Sequence, residues 1–292
     1  MSGLVVVGVD GSTSGLAAVE VAAREAELRG AGLRVVHAFI WPGMHVPMGP
    51  SPLGPLGGGI RHMVERLVTE ALERARTVAP EVHVSHAVVT GEPLAVLEAQ
   101  SHSADLLVVG SRGIGGFVGL LVGSTAVHLA AHGRCPLLVV REQPGVGGPV
   151  VLGVDGSAVG EPAVDFAFAE AALRKAPLLA LHAWTTWSTP APAPYGASAP
   201  YADASGVLTG EKESLLSEAL AGHREKYPDV VVEQQAVHGR PREALIEASR
   251  SAQLVVVGAR GRGGFTGLLL GSVSQALLHH AHCPVTVVRG KE

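Results

Sequence analysis

Short apolar runs alternate with longer amphipathic stretches along the chain, and the whole series occurs twice. In the first half, β-branched runs predict strands, and apolar residues at helical spacing predict helices. The predicted strands lie near 4–10, 33–39, 82–89, 105–110 and 136–141, and the predicted helices over 14–29, 61–78, 92–102 and 123–132. Strands that alternate with helices form βαβ units, so the pattern predicts an α/β fold with a parallel sheet in each half.

An internal repeat underlies this pattern. The segment V-G-V-D-G-S at 7–12 returns as L-G-V-D-G-S at 152–157, an offset of 145. The segment G-E-P at 91–93 returns as G-R-P at 239–241, where the offset has become 148. A repeat of this length indicates two tandem copies of one domain.

The domain boundaries and the loops follow from the repeat. The first strand of the second copy is predicted near 149–155, so we expect domains over 1–143 and 148–292, joined by a short glycine-rich linker. The three-residue change of offset falls in two Pro/Gly-rich stretches, 41–59 and 185–206, which the composition predicts to be surface loops.

Composition narrows the classes of function. The 292 residues are 47% hydrophobic and 16% charged, which supplies enough apolar material for two buried cores. Only 4% are aromatic, and the net charge is -4 with no basic run. We therefore do not expect the chain to bind single-stranded or duplex nucleic acid.

Neither the cysteines nor the hydropathy indicates export or a membrane partner. Cys135 and Cys283 occupy equivalent places in the two copies and do not suggest a disulfide framework, which fits a reducing, cytoplasmic location. No targeting signal is visible. The uncharged stretch 114–131 is long enough for a membrane span, but glycines and His128 interrupt it, so we interpret it as part of a soluble domain.

The strongest candidate for chemistry is a glycine motif that both copies contain. It reads G-x2-G-x9-G-S and follows a buried-looking strand each time, from Gly110 to Ser124 and from Gly258 to Ser272. Glycine lets ligand oxygens approach the backbone, and a helix start offers unpaired N–H groups at the positive end of its dipole. Two copies with the same gap predict a phosphate-binding cradle in each half, in which Gly110, Gly113, Gly123, Ser124 and Thr125 form the first.

Charged residues near the cradle have two interpretations each. Asp10 and Asp155 end the first strand of each copy and either cap the next helix or bind a ribose hydroxyl or Mg²⁺. Arg112 and Arg260 lie inside the cradle loops and either neutralise phosphate charge or are solvated. Ligands of open parallel sheets bind beyond the carboxyl ends of the strands, so these groups share one crevice if strands one and four are neighbours.

Other site chemistry is less well supported. His128, His132 and Cys135 have a spacing that suits zinc, but the second copy has Ala276 in place of His128. The chain has no P-loop signature, no G-x-G-x-x-G after the first strand and no G-x-S-x-G elbow. A nucleotide site without an evident catalytic group indicates a receptor.

The G-x2-G-x9-G-S motif after a strand, paired with an early Val-Asp-Gly-Ser, resembles the universal stress protein family, and specifically its ATP-binding branch. The resemblance covers essentially the whole chain as two tandem domains. It implies two doubly wound domains, each with a five-stranded parallel sheet of order 3-2-1-4-5 and helices on both faces. It also implies ATP, with Mg²⁺, bound between strands one and four.

The resemblance also assigns residues to the two sites. It implies that Asp10 and Asp155 contact ribose or metal, that Gly8 and Gly153 line the same wall, and that the Ala38 and Ala183 backbones meet adenine. The remaining first-site residues are Gly110, Ser111, Arg112, Gly113, Gly116, Gly123, Ser124 and Thr125. Their second-site counterparts are Gly258, Ala259, Arg260, Gly261, Gly264, Gly271, Ser272 and Val273.

Function and assembly are then expectations from the family. They are a regulatory role in stress response and dormancy, a protein partner that the sequence does not identify, and halves that pair as a pseudo-dimer, with a possible homodimer. Two classes of function remain open: an ATP-binding regulator with little or no turnover, or a slow ATP hydrolase or AMP-forming enzyme of the wider superfamily. The pyrophosphatase members of that superfamily carry Ser-Gly-Gly-x-Asp-Ser after strand one, and the sequence from Val9 to Ser12 lacks the glycine pair.

Overall fold

A computed structural model describes residues 3–39, 56–113, 122–141, 147–185, 204–261 and 269–290. The chain divides into two compact units, Met1–Glu142 and Gln143–Glu292. Most of the two predicted Pro/Gly-rich loops and most of the predicted linker lie outside the described residues.

The first unit alternates strands and helices throughout. Its elements in chain order are β1 (Leu4–Gly8), α1 (Thr13–Arg29), β2 (Gly32–Phe39), α2 (Leu56–Val78), β3 (Val84–Thr90), α3 (Pro93–Ser101), β4 (Leu106–Gly110), α4 (Ser124–His132) and β5 (Leu137–Val140). The predicted α/β pattern is confirmed, and the predicted element centres agree with the observed ones.

The second unit repeats this order. Its elements are β6 (Val150–Gly153), a 3₁₀ turn (Ala158–Gly160), α5 (Glu161–Arg174), β7 (Leu178–Trp184), α6 (Ala204–Lys226), β8 (Val232–His238), α7 (Pro241–Ala248), β9 (Leu254–Gly258), α8 (Ser272–His280) and β10 (Val285–Val288). The 3₁₀ turn is the element that the first unit lacks, because α1 begins directly at Thr13.

Each unit contains a parallel sheet with the strand order that the family resemblance implied. In the first unit β1 pairs with β2 and β4, β2 pairs with β3, and β4 pairs with β5. The second unit has the same pairings, of β6 with β7 and β9, β7 with β8, and β9 with β10. The order 3-2-1-4-5 places the first and fourth strands side by side, so both units meet the condition for a ligand crevice at the carboxyl ends of these strands.

Valine-rich central strands form the core of each unit. Val5, Val6 and Val7 of β1 are fully buried, and β4 and β9 are buried on both faces. Continuous apolar runs are typical of parallel strands covered by helices on both sides. Alanines such as Ala18 and Ala22 let α1 approach the sheet closely.

Two sets of predicted boundaries were wrong. Strand β1 ends at Gly8 and β6 at Gly153, not at the aspartates that follow, because the chain leaves the ladder there. Helices α2 and α6 begin at Leu56 and Ala204, inside the stretches predicted to be loops. Glycines favour loops only weakly, and a long amphipathic helix can extend through them. Among the described residues, no helix combines the length and the apolar character that crossing a membrane requires.

The start of α1 generates a stability prediction. Ser12 caps this helix, because its Oγ accepts from the Gly15 N–H at 3.0 Å, whereas Ser157 makes no such bond to the 3₁₀ turn. Both serines also donate to an aspartate, so they form a matched pair. Ser12→Ala is expected to destabilise the first unit by about 1 kcal/mol, and Ser157→Ala to affect the second unit less. Amide hydrogen exchange in α1 and α5 measures both, and equal effects would contradict the assignment of the cap.

Candidate functional site

The candidate site lies at the carboxyl ends of the central strands. Asp10 follows β1, and Gly110 ends β4, and the two strands are hydrogen-bonded neighbours from Val5 to Val7. Asp155 and Gly258 have the same relation in the second unit. The structure therefore brings together the two motifs that the sequence placed on separate strands.

The aspartate after the first strand organises a tight turn. Asp10 Oδ1 accepts from the Ser12 N–H at 3.0 Å and from Ser12 Oγ at 2.6 Å, and Asp155 does the same for Ser157 at 2.9 and 2.7 Å. Gly11 has φ 88° and Gly156 φ 70°, a left-handed conformation that side chains disfavour. The turn leaves Oδ2 of each aspartate facing the cradle, towards the Cα of Gly113 or Gly261.

The cradle loop is closed by backbone hydrogen bonds at both of its ends. Gly123 N–H donates to Ser111 O at 2.8 Å, and Gly271 N–H donates to Ala259 O at 2.7 Å. The loop start is fixed to the last strand, since Ser111 N–H donates to Val140 O at 2.9 Å. Identical closure explains why the loop has the same length in both copies. Gly116 and Gly264, assigned to the site from sequence, lie outside the described residues.

Helices α4 and α8 begin at the mouth of the cradle without a side-chain cap. Gly123 and Gly271 are the N-cap residues, and among the described residues no side chain forms a capping hydrogen bond with either helix start. Ser124 and Ser272 follow and are exposed. The first N–H groups of a helix have no partner inside it, so each start directs donors and a positive dipole end at the crevice.

The glycines of the motif have different structural reasons. A Cβ on Gly110 would lie 2.6 Å from the carbonyl carbon of Ser14, so this glycine lets α1 cross close to β4. A Cβ on Gly113 would lie 2.6 Å from Asp10 Oδ2. At Gly123 the nearest atom would be 3.8 Å away, and φ of −68° suits any residue. Among the described residues, nothing requires glycine at 123, which leaves that space to a ligand.

Gly8 and Gly153, expected to line the wall of the site, also serve packing. A Cβ on Gly8 would lie 2.9 Å from Leu97 of α3, and one on Gly153 would lie 3.0 Å from Leu245 of α7. These glycines let α3 and α7 approach the ends of β1 and β6.

The two units fix the start of the cradle loop with different hydroxyl groups. In the first unit Ser14 Oγ donates to Arg112 O and accepts from Arg112 N–H at 3.3 Å. Val159 replaces Ser14 in the second unit, and there Ser274 of α8 donates to Gly258 O at 2.6 Å. Ala126 stands at the position of Ser274 in the first unit. A hydroxyl therefore binds the loop start in both units, from α1 in one and from α8 in the other.

The backbone of Ala38, which the family resemblance assigns to adenine, lies near the carboxyl end of β2. Val36 O accepts from Val9 N–H at 2.9 Å on the β1 side, and Phe39 O accepts from Gly91 N–H at 3.0 Å on the β3 side. Backbone groups alternate in direction along a strand, so the N–H and C=O of Ala38 point to the β1 side. Strand β1 ends at Gly8 and does not reach the level of Ala38. Among the described residues, neither the N–H nor the C=O of Ala38 is hydrogen-bonded. Ala183 has the same position beside β6.

From the sequence, no role was assigned to His37 and His182, and the structure places both rings next to the residue before Asp10 or Asp155. His37 Nδ1 lies 2.8 Å from Val9 O, and His182 Nδ1 lies 2.7 Å from Val154 O. Both carbonyls belong to the residue immediately before the site aspartate. The sequence contained a feature that could have indicated this position, because both copies have His-Ala at the same point of the second strand.

The remaining candidates are distributed around the loop. The Arg112 side chain is exposed and that of Arg260 is half-buried, which is compatible with either interpretation given above. Ser111 and Ala259 are buried below the cradle, and Thr125 and Val273 are half-buried in the first helical turn.

The zinc hypothesis gains no support. His128 Nε2 lies 3.3 Å from Glu98 Oε2, and His132 Nδ1 lies 3.1 Å from the His128 carbonyl oxygen. Burial raises the pKa of the Cys135 thiol to about 12, which disfavours the thiolate that a metal requires. The described part of the chain contains no group of three or more residues that could hold a metal ion.

Comparison with known proteins decides the family. The model of the universal stress protein family matches residues 1–141 and, a second time, residues 148–289. The chain belongs to the universal stress protein family. Universal stress protein Rv2623 of Mycobacterium tuberculosis strain H37Rv is 36% identical over 298 residues, which span 98% of this chain and 96% of that protein. Universal stress protein Rv1996 of the same strain is 39% identical over 311 residues, at 98% and 94% coverage.

Solved structures agree on the fold. The crystal structure of a universal stress protein from Archaeoglobus fulgidus aligns with a TM-score of 0.67 over 99% of this chain and 97% of its own. The sequence identity is 16%, so this likeness concerns architecture.

The different reasons for the motif glycines generate a prediction. Gly110→Ala forces a methyl group against the backbone of α1 and is expected to destabilise the first unit by about 1–3 kcal/mol. Gly123→Ala meets open space and is expected to cost less than about 1 kcal/mol, mainly as a poorer N-cap. Urea denaturation followed by NMR signals of the first unit compares the two. A Gly123→Ala protein less stable than Gly110→Ala would show that the glycine at 123 serves packing.

Proposed function

We propose that this universal stress protein is an ATP-binding regulator of a stress response, with one ATP site per domain and little or no turnover. The proposal is supported by two features at the carboxyl end of each sheet: a helix start, at Gly123 or Gly271, and a strand edge, at Ala38 or Ala183. Among the described residues, the helix start has no side-chain cap and the strand edge has no hydrogen-bonding partner. The N–H donors of the helix start suit phosphate oxygens. The N–H donor and C=O acceptor of the strand edge suit the hydrogen-bonding groups of a base.

The phosphate end is supported by geometry and by electrostatics. The first turn of α4 begins beside the space that Gly123 leaves open, and Ser124 in this turn is exposed. A helix N-terminus stabilises an anion by about 0.3–1 kcal/mol at exposed sites, and several N–H donors act together on one phosphate group. Arg112 and Arg260 add positive charge near the same loop.

The aspartates are assigned to the middle of the nucleotide. Asp10 Oδ1 is engaged in the turn, and Oδ2 faces Gly113. A carboxylate beside a polyphosphate is repelled unless a cation or a hydroxyl group lies between them. For this reason we assign Asp10 to a ribose hydroxyl or Mg²⁺, and Asp155 to the same role in the second domain.

Little turnover is expected from the composition of the cradle. Hydrolysis needs a group that orients or deprotonates water near the γ-phosphate. Among the described residues, the cradle contains glycine, hydroxyl and aliphatic groups and one arginine, and the carboxylate at its edge is the aspartate already engaged in the turn. A receptor is favoured over a hydrolase for this reason.

The regulatory part of the proposal follows from family membership. We assign the protein to the cytoplasm, where ATP is available and free cysteines stay reduced. The expected pairing of the halves as a pseudo-dimer, a protein partner that senses occupancy, and a role in dormancy are part of the same proposal.

The proposal predicts two adenine nucleotides per chain. Gly123→Asp introduces a side chain and a negative charge at the phosphate position and is expected to empty the first site alone, and Gly271→Asp the second. Calorimetry on protein stripped of nucleotide gives the stoichiometry. Each single variant should bind one equivalent of ATP and the double variant none, whereas two equivalents in either single variant would contradict the assignment of that loop.

Turnover is tested separately. Bound, labelled ATP is expected to remain intact for hours in a single-turnover experiment with Mg²⁺ present. Asp10→Asn and Asp155→Asn should weaken Mg²⁺-dependent binding without altering the decay rate. Conversion to ADP or AMP within seconds, lost in the two asparagine variants, would favour the hydrolase instead.

A further inference from the structure

His37 and His182 have no role in the proposed site as described so far, yet both lie buried beside it. The two residues are 9% and 7% exposed. Each precedes the alanine assigned to adenine, and each ring contacts the carbonyl oxygen of the residue before the site aspartate. The contact is the same in both units although the neighbouring residue differs, Phe39 in one and Trp184 in the other.

The contact replaces a hydrogen bond that the sheet would otherwise make. In a parallel ladder, the Val9 N–H bond to Val36 O is followed by a bond from the Ala38 N–H to Val9 O. The first bond is present at 2.9 Å, but the second is absent, and the His37 ring occupies Val9 O. In the second unit, Val154 N–H donates to Leu181 O at 2.9 Å, and the His182 ring then occupies Val154 O.

We propose that His37 and His182 are positioning residues that set the preference of the two sites for adenine over guanine. The inference rests on the proposed function. Each imidazole donates from Nδ1 to the strand-end carbonyl, so that carbonyl is satisfied without the alanine N–H. The N–H and C=O of Ala38 and Ala183 then stay available to a base.

The base preference follows from the order of donor and acceptor on that edge. Adenine presents a ring nitrogen acceptor, N1, beside an amino donor, N6, which complements an N–H and a C=O that point in one direction. Guanine presents a donor at N1 and an acceptor at O6, which sets donor against donor and acceptor against acceptor. Mismatched buried polar groups are costly, so a site of this kind discriminates well.

Two substitutions of His37 distinguish the effect of its N–H donor from the effect of its side-chain volume. Asparagine at 37 keeps an N–H donor close to the position of Nδ1, whereas leucine fills similar volume without one. In His37→Leu, the Val9 carbonyl has lost its donor, and the Ala38 N–H is the nearest replacement. The β1–β2 ladder then extends by one bond, and the base loses its donor.

The binding test uses full-length Gly271→Asp protein, in which the first site is the one expected to bind. Calorimetry gives the Kd of ATP and of GTP. His37→Leu is expected to weaken ATP binding about tenfold, the equivalent of one hydrogen bond, and to leave GTP binding unchanged. His37→Asn is expected to keep the ATP-to-GTP ratio of the parent. The mirrored set, His182→Leu and His182→Asn in Gly123→Asp protein, tests the second site.

Hydrogen exchange provides a readout that does not depend on the nucleotide. In ligand-free wild-type protein the Ala38 amide should exchange much faster than that of Val36, and in His37→Leu it should become protected. A wild-type Ala38 amide as protected as that of Val36 overturns the inference without any variant. If the Gly271→Asp parent binds no ATP, the proposed function has failed. If the parent binds ATP and His37→Leu keeps the ratio, this inference alone has failed.

Discussion

The architecture of each site depends on where the first strand leaves the sheet. Beta1 keeps its bond to β2 through the Val9 N–H, and the chain then turns at Asp10 and Gly11 into α1, while β2 continues to Phe39. Three features follow from this early departure. Among the described residues, the far end of β2 has no neighbouring strand on its β1 side; the aspartate is directed towards the loop after β4, and the start of α1 lies over the end of β4.

The second constraint is the close approach of the segment after the first strand to the end of the fourth strand. The two units satisfy this constraint with different residues. Gly110 is required because Ser14 lies where its Cβ would be, and the hydroxyl of Ser14 fixes the loop that follows. In the second unit the helical start is replaced by a 3₁₀ turn, and Ser274 supplies the hydroxyl from another helix. The position of the loop is therefore what both units maintain, and the side chain that fixes it can change.

The sequence predicted the elements and their parallel arrangement, because the buried valine runs and the alternation of strands and helices report these directly. The strand order, on which the place of the crevice depends, came from the family resemblance. The sequence did not predict the end of β1, since an apolar run continues through Val9 after the strand has ended. It also placed Gly110, Gly113 and Gly123 in one phosphate cradle but did not predict that contacts within the protein exclude a side chain at the first two. A glycine pattern in the sequence indicates positions at which a side chain does not fit. The three-dimensional structure is needed to determine whether a helix, a carboxylate or a ligand occupies the space.

The proposed site is built mainly from backbone groups, and this has a consequence for both its sequence and its chemistry. Helix-start N–H groups and the edge of Ala38 do not depend on side-chain identity, so replacements such as Val273 for Thr125 and Ala259 for Ser111 leave the main recognition elements in place. Backbone amides also have no accessible pKa near neutrality and cannot shuttle protons to a water molecule. Under the proposed function, the same construction would let two diverged halves bind one ligand and would leave both without a group that activates water.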